Sequence, residues 1–502
     1  MDLSFLFFIS SGLFLGWSLG ANDAANIFGT AVGSRMLRFS TAALICSVFV
    51  VLGAVIDGAG AARALGSLGG INQIAGAFAT ALAAALSVFI LVRMGLTAST
   101  TQAIVGAIVG WNLFTGAVTD TQTLMKILIT WVACPLLAGV FAVLIFKSVE
   151  GGLHWLRPHL LSLDSFTRVA LIVTGAFGAY TLGANNIANV MGVFMAVSPF
   201  EDLDFANFRF SSTQQLFLLG SLAIAVGVYT YSKRVMLTVG SKLMEVSPVS
   251  AWIIVVSHSL VLFLFASQGL EQQLIALGLP SIPLVPVSST QAIIGAVVGI
   301  GLLKGGHAVN WRLVGRIGCG WLFTPVAAAL ICMLSLFVLQ NLLHLSVARE
   351  QRYLISEASM ERLEAQGFDT APLQVLIDIE YSSARQLVTS AQRYLPLSNE
   401  HQQQLINSTY HGRFFLNAHK IGNLDRTWLS DEQWQALNAL AGQSFAYRWQ
   451  LQEALADHTK AWGLKPDIPA NKYFNQDLQQ KLSYLYRLFE LEIPQKNRPG
   501  RY

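Results

Sequence analysis

Gly20-Ala21-Asn22-Asp23-Ala24-Ala25-Asn26 recurs 163 residues later as Gly183-Ala184-Asn185-Asn186-Ile187-Ala188-Asn189. Working outward, the run Ser99-Thr100-Thr101-Gln102-Ala103-Ile104-Val105-Gly106 recurs at an offset of 189 as Ser288-Ser289-Thr290-Gln291-Ala292-Ile293-Ile294-Gly295. Trp131 and Pro135 then recur as Trp321 and Pro325. Three matches in one order define a duplicated unit, with about 26 extra residues between the two motifs of the second copy.

The surroundings of these motifs are apolar. Of the 502 residues 54% are hydrophobic and 12% charged, about half the charge of an ordinary soluble domain. Residues 1–345 hold 26 charged side chains and residues 346–502 hold 34. Segments such as Ala42–Ile56, Ile74–Val92, Thr121–Phe146, Gln215–Tyr231 and Gly318–Leu342 have the length and composition of membrane spans. The N-terminal apolar run lacks a basic leader and a cleavage site, so it reads as an uncleaved first span. Expected domains are a first transmembrane repeat (1–150), a linker (151–168), a second repeat (169–345) and a soluble C-terminal domain (346–502).

The turns carry an orientation signal, because Lys and Arg collect on the cytoplasmic side. In copy one the turn after the first motif holds Arg35 and Arg38, and the next holds Asp57 and Arg63. In copy two the first of these turns holds Glu201, Asp202 and Asp204 against Arg209, and the next holds Lys233, Arg234 and Lys242. The bias is swapped, as an inverted repeat with an odd number of crossings, about five per copy, requires. The expected fold is therefore an all-α polytopic membrane protein, an inverted-repeat secondary transporter with re-entrant or broken helices, followed by a helical soluble domain. The net charge of +4 sits in short turns and gives no stripe for nucleic acid.

Asp23 is an ionisable group at membrane depth, flanked by amides, and such a group is costly unless it faces a cavity, an ion or a partner. Asn and Asp are also good helix caps, so the motif is expected to sit at a break in its helix. Ser99, Thr100, Thr101 and Gln102, and likewise Ser288, Ser289, Thr290 and Gln291, stand at the start of Gly-rich helices. Free N–H groups and the positive dipole end there suit an anion, and hydroxyl and amide donors suit a tetrahedral oxyanion. Either motif alone would read as an ordinary Ser/Thr cap.

With these motifs the chain resembles the inorganic phosphate transporter (PiT) family, whose hallmarks are a GANDxAN-type motif and a Ser/Thr-Thr-His/Gln hairpin motif in each half. The resemblance spans residues 3–345. It implies a homodimeric inverted-repeat symporter in a cell membrane, such as a bacterial inner membrane, carrying inorganic phosphate with sodium or protons. Substrate contacts fall on Ser99, Thr100, Thr101, Gln102, Ser288, Ser289, Thr290, Gln291, Asn22 and Asn185, and cation contacts on Asp23, Asn26, Asn186 and Asn189. A transported sodium at Asp23 is the one metal expected, and no resident cofactor is. Asn186 stands where relatives commonly carry a second acid, and Val50 where they often carry Glu, while Glu245 retains the acid in copy two. These losses remove cation ligands and an acceptor for the proton of HPO4, so sulfate is the alternative cargo. An anion channel would need neither Asp23 nor a coupled cation.

His258, amid the apolar run Trp252–Ala266, reads as a core histidine satisfied by Ser257 and Ser259, with a proton relay as the other reading. Cys46, Cys134, Cys319 and Cys332 read as small buried hydrophobes. The tail reads as all-helical, with periodic stretches at Tyr353–Ala365, Leu376–Ser390, Asp431–Ala454 and Asp477–Leu491 and anchors at Trp428, Trp434, Trp449 and Trp462. It carries no catalytic constellation, and nothing in the chain points to an enzyme.

Overall fold

The computed structural model describes residues 3–93, 98–200, 202–205, 208–239, 247–307, 309–422, 424 and 429–491. Glu201, Lys242, Glu245 and Trp428 lie outside them. The chain divides into two units, Met1–Arg349 and Glu350–Tyr502.

The first copy contributes α1 (Leu3–Gly33), α2 (Phe39–Asp57), the short α3 (Ala59–Leu68), α4 (Ile74–Arg93), α5 (Thr100–Thr115) and α6 (Thr121–Leu156). The second contributes α7 (Leu160–Met191), α8 (Ser212–Thr230), α9 (Ser232–Val239), α10 (Pro248–Ala266), α11 (Gln268–Ala276), α12 (Ser289–Leu303) and α13 (Trp311–Asn341). Eight of these are long and apolar enough to span a bilayer, four in each copy. The shorter α12 is apolar too, and α5 is its counterpart in the first copy. An antiparallel hairpin, Leu203–Phe205 with Phe208–Phe210, is the one sheet among the described residues of this unit.

The copies interlock. α1 packs on α8 and α2 on α7; α5 packs on α13 and α12 on α6. A Cβ on Gly20 would collide with the Ile224 carbonyl, and one on Gly183 with the Val50 carbonyl. Gly227 meets Trp17, and Gly53 meets Tyr180, in the same way. Likewise Gly106 abuts Pro325 and Gly295 abuts Pro135, while a Cβ on Gly110 would lie 2.6 Å from the Ala329 carbonyl and one on Gly299 2.6 Å from the Gly139 carbonyl. Residue i of one copy meets j of the other, and j's counterpart meets i's, which is the mark of a two-fold axis. Small residues at these crossings let backbones approach in a medium where the hydrophobic effect does not drive helices together.

The same contacts give the sense of the repeat. Gly16 lies by Gly220 and Ala223, and Gly20 by Ile224, so α1 and α8 run parallel. α2 follows α1 through only five residues, 34–38, and a span with a short connection re-enters the bilayer in the opposite direction. α8, the counterpart of α2, is therefore opposed to it, and the repeat is inverted. α5 runs parallel to α13 through Gly106–Pro325 and Gly110–Ala329, which gives the same result.

Four expectations are corrected here. The first motif does not interrupt its helix: α1 and α7 are continuous through it. Its Asn and Asp side chains leave one helix face sideways and bond to one another, so no backbone break is needed to satisfy them. The irregular backbone belongs instead to the second motif. Residues 151–168 are mostly helical, because α6 runs to Leu156 and α7 starts at Leu160; Arg157, at φ 42°, ends α6, and Pro158 cannot continue it. Residues 346–349 belong with the membrane unit, where the Arg349 N–H donates to Asn72 Oδ1 (2.9 Å). Reciprocity makes Ile224 in α8 the counterpart of Val50, so Glu245 is not; the extra residues of the second copy displace any fixed offset.

The second unit is not all-helical. Besides helices such as Asn399–Thr409 and Lys472–Phe489, it holds the antiparallel pairs Tyr353–Leu354 with Glu380–Tyr381 and His411–Phe415 with Ser444–Tyr447. Strands of two to five residues are too short to impose a period of two on the sequence. Trp462 is its largest fully buried side chain and donates to the Gln433 carbonyl (3.0 Å). Trp434 and Trp449 are half-buried. In the membrane unit Cys46, Cys134 and Cys332 are buried, whereas Cys319, on α13, is exposed.

Candidate functional site

Two helix faces and two helix starts meet at the two-fold axis. On α1 Asn26 follows Asn22 by four residues and Asp23 by three, which puts the three on one side, and α7 does the same with Asn185, Asn186 and Asn189. Opposite them stand the first turns of α5 and α12. Asp23, Asn26, Asn185, Asn186 and Asn189 are all buried, as are Ser99 through Gln102 and Ser288 through Gln291; Asn22 is half-buried.

The faces are joined by hydrogen bonds. Asn22 Nδ2 donates to Asp23 Oδ1 (3.0 Å), and Asn186 Nδ2, from the other copy, donates to Asp23 Oδ2 (3.1 Å). Asn186 Oδ1 accepts from Asn185 (2.9 Å) and from Asn189 (3.3 Å). Asn186 therefore occupies the place opposite Asp23 as a donor, which a second carboxylate could not do. A carboxylate has about four acceptor sites. Two are occupied here, so Asp23 keeps capacity for a cation.

The helix starts differ in detail. Ser99 and Ser288 cap α5 and α12, each accepting from the N–H three residues on, Gln102 and Gln291, at 3.3 Å. A cap uses the oxygen's lone pair and leaves the hydroxyl hydrogen available. The extended segment before α12 is held by three prolines, Pro280, Pro283 and Pro286, which cannot join a helix interior. Asn185 grips this segment at Val287 with both ends of its amide, donating to the carbonyl and accepting from the N–H at 2.8 Å each. Thr101 also donates to the Val287 carbonyl (3.1 Å) and accepts from Asn189 (2.9 Å). Its hydrogen thus ties the two motifs together. Asn26 donates to Ser289 Oγ (2.9 Å). The amide oxygens of Gln102, Gln291 and Asn189 are buried acceptors without a donor among the described residues, which suits a cation better than an anion.

His258 departs from its expected place. Ser257 and Ser259 donate to carbonyls of their own helix, at Ile253 (2.8 Å) and Val255 (2.7 Å). The ring reaches instead to Ser289, with Nε2 2.9 Å from Oγ. It is therefore a neighbour of the site, which nothing in the local sequence signals beyond its being a polar residue in an apolar helix.

The geometry can now be set beside known proteins. Residues 19–332 match the family model described as "Phosphate transporter family". The chain belongs to that family. Among its relatives, a Thermococcus kodakarensis protein named "Putative phosphate permease" is 26% identical over 408 residues, covering 66% of this chain and 96% of the relative. A Haemophilus influenzae protein of the same name is 24% identical, covering 66% and 95%. A solved structure titled "The sodium-dependent phosphate transporter" superposes with a TM-score of 0.53 at 22% identity, over 67% of this chain and 99% of that one. At that identity the likeness is one of fold, a multi-pass helical membrane protein.

Proposed function

We propose that the chain is a secondary active transporter that carries inorganic phosphate together with a cation, sodium before proton, by alternating access. The observation that carries this reading is the polar cluster at the two-fold axis. One carboxylate, Asp23, and the amides and hydroxyls of both copies close around two helix starts, and almost all are buried. No Lys or Arg is hydrogen-bonded to this cluster among the described residues. A dianion there is held by dipoles, N–H and O–H donors and a co-bound cation, for which Asp23 supplies the negative ligand.

Because the groups are buried, a solute reaches them only when the helices part. Interlocked inverted copies have two equivalent ways of parting, one toward each side of the membrane. The exposed apolar rows of α6 and α13, including Leu136, Val140, Leu322 and Leu330, face lipid or a second copy in a homodimer within a bacterial inner membrane.

The test is uptake of radiolabelled phosphate into proteoliposomes, with sodium and proton gradients imposed separately and sulfate as competitor. Accumulation above equilibrium under a sodium gradient, with sulfate competing poorly, is the expected result. Accumulation of sulfate instead makes the cargo sulfate. Equilibration without accumulation makes the protein a channel.

A further inference from the structure

Ser289 Oγ stands between two groups: Asn26 Nδ2 donates to it at 2.9 Å, and His258 Nε2 lies 2.9 Å away. The histidine is fully buried and its other nitrogen, Nδ1, has no hydrogen-bond partner among the described residues. A neutral imidazole carries one N–H, and the two tautomers have different consequences. With the proton on Nδ1, the Ser289 hydroxyl would donate to Nε2, and a buried N–H would be left with no acceptor. With the proton on Nε2, Ser289 Oγ accepts twice, from Asn26 and from His258, and the unpartnered atom is a bare ring nitrogen. Orphaned buried backbone N–H groups are rarer than under-used acceptors, and the same preference favours the second arrangement. Ser289 Oγ then has both lone pairs engaged, and its hydrogen finds no acceptor among the described residues.

We infer that His258 is a positioning residue for the substrate: its Nε2–H, with the Asn26 amide, holds the Ser289 oxygen so that the Ser289 O–H is offered to a tetrahedral oxyanion at the start of α12. This deepens the proposed function and rests on the reading of the site as an oxyanion site. Asn26 thereby has a task beyond cation ligation, since its N–H serves the anion side while its carbonyl oxygen stays available. The device belongs to one half only. At the equivalent place copy one has Thr100, and α4, the counterpart of α10, contains no histidine.

The experiment measures equilibrium binding of radiolabelled phosphate and sulfate to the purified full chain in nanodiscs, for the wild type and for His258→Leu, His258→Gln, His258→Asn, Ser289→Ala and the double variant His258→Leu with Ser289→Ala. Glutamine reaches about as far as Nε2 and can donate there; asparagine is too short, and leucine has no donor. His258→Leu and His258→Asn are expected to weaken binding about tenfold, the scale of one lost buried hydrogen bond, while His258→Gln stays within about twofold. Ser289→Ala should also lose about tenfold, and adding His258→Leu to it should cost nothing more, because the two act as one unit. Undiminished or tighter binding by a folded His258→Leu overturns the inference, since it means the ring was consuming the hydroxyl hydrogen. A full additional loss in the double variant overturns it too, by showing a packing role. Should His258→Leu fail to fold, the Gln and Asn pair decides: equal affinities overturn the inference, and a tenfold gap supports it. A wild type that binds neither anion overturns the proposed function, and the inference with it; unchanged variants of a wild type that binds overturn the inference alone.

Discussion

The two copies of the repeat share their backbone contacts to within a residue, yet they differ in what their polar groups bond. Asn185 clamps the Val287 backbone with both ends of its amide, whereas its counterpart Asn22, among the described residues, reaches only to Asp23. Thr101 ties the two hairpin motifs together, while its counterpart Thr290 makes no such tie. Asp23 faces Asn186 where symmetry would place two acids. The difference teaches that the scaffold and the site obey separate rules. Inverted packing requires the same small residues at the same crossings, so those stay paired. The polar groups are not bound by that packing rule, and Asn186 stands where the symmetry mate of Asp23 would be.

Breaking the charge asymmetry should have the largest effect. Asp23→Asn makes the two motifs chemically alike and removes the one carboxylate of the cluster. Cation-driven phosphate accumulation should disappear while the protein still reaches the membrane; gradient-dependent uptake at the wild-type rate would show that Asp23 only braces Asn22 and Asn186. The scaffold comes next. Gly106→Val and Gly295→Val each drive a side chain into a proline carbonyl of the facing helix, and overpacking of this kind costs ~3 kcal/mol. Because the contacts are reciprocal, the two variants should lower the thermal midpoint of the purified protein by the same amount. A clear inequality would mean that one half carries the packing.

The polar clamp should separate the halves. Asn185→Ala strands the Val287 N–H and leaves its carbonyl to Thr101 alone, a loss of ~2 kcal/mol, whereas Asn22→Ala, half-buried and bonded to its neighbour Asp23, should lose ~0.5 kcal/mol. Denaturation in detergent reads the gap. Thr290→Val and Thr101→Val sharpen the same contrast. Thr290 makes no bond to the hairpins, so its loss should weaken phosphate binding by ~1 kcal/mol with stability intact; Thr101→Val should lower stability as well. Indistinguishable profiles would restore the symmetric picture.

The sequence made legible what repetition makes legible. The two motifs, their order and the Trp-Pro pair were enough for a duplicated unit, and swapped charges at Arg35 and Arg38 against Lys233 and Arg234 were enough for inversion. The crossings were not readable, because Val50 and Ile224 are ordinary apolar residues whose offset of 174 differs from those of both motifs. Asn22, Asp23 and Asn26 suggest a helix break because Asn and Asp cap helices; only their partners, Asn186 on α7 and Ser289 on α12, show that the face is satisfied sideways. His258 lies 31 residues before Ser289 on a helix of its own, so no local pattern could join them. The tail's short strand pairs left no period to detect.

The smallest effect is expected from removing the part that has no counterpart in either half. Every group assigned to the site lies before residue 304, and the reciprocal glycine crossings described above end at Ala329. Residues up to Arg349 are needed by the membrane unit: the Val347 carbonyl accepts from Trp111 Nε1 at 3.5 Å, and the Arg349 N–H is held by Asn72. A chain ending after Arg349 keeps both contacts, and a unit with its own core tolerates separation at such a boundary. Its phosphate affinity should match that of the full chain within about twofold, whatever happens to its rate or abundance. A truncated protein that reaches the membrane, stays folded and no longer binds phosphate would show that the tail enters or gates the site. The asymmetry between the two halves would then have a source outside both of them.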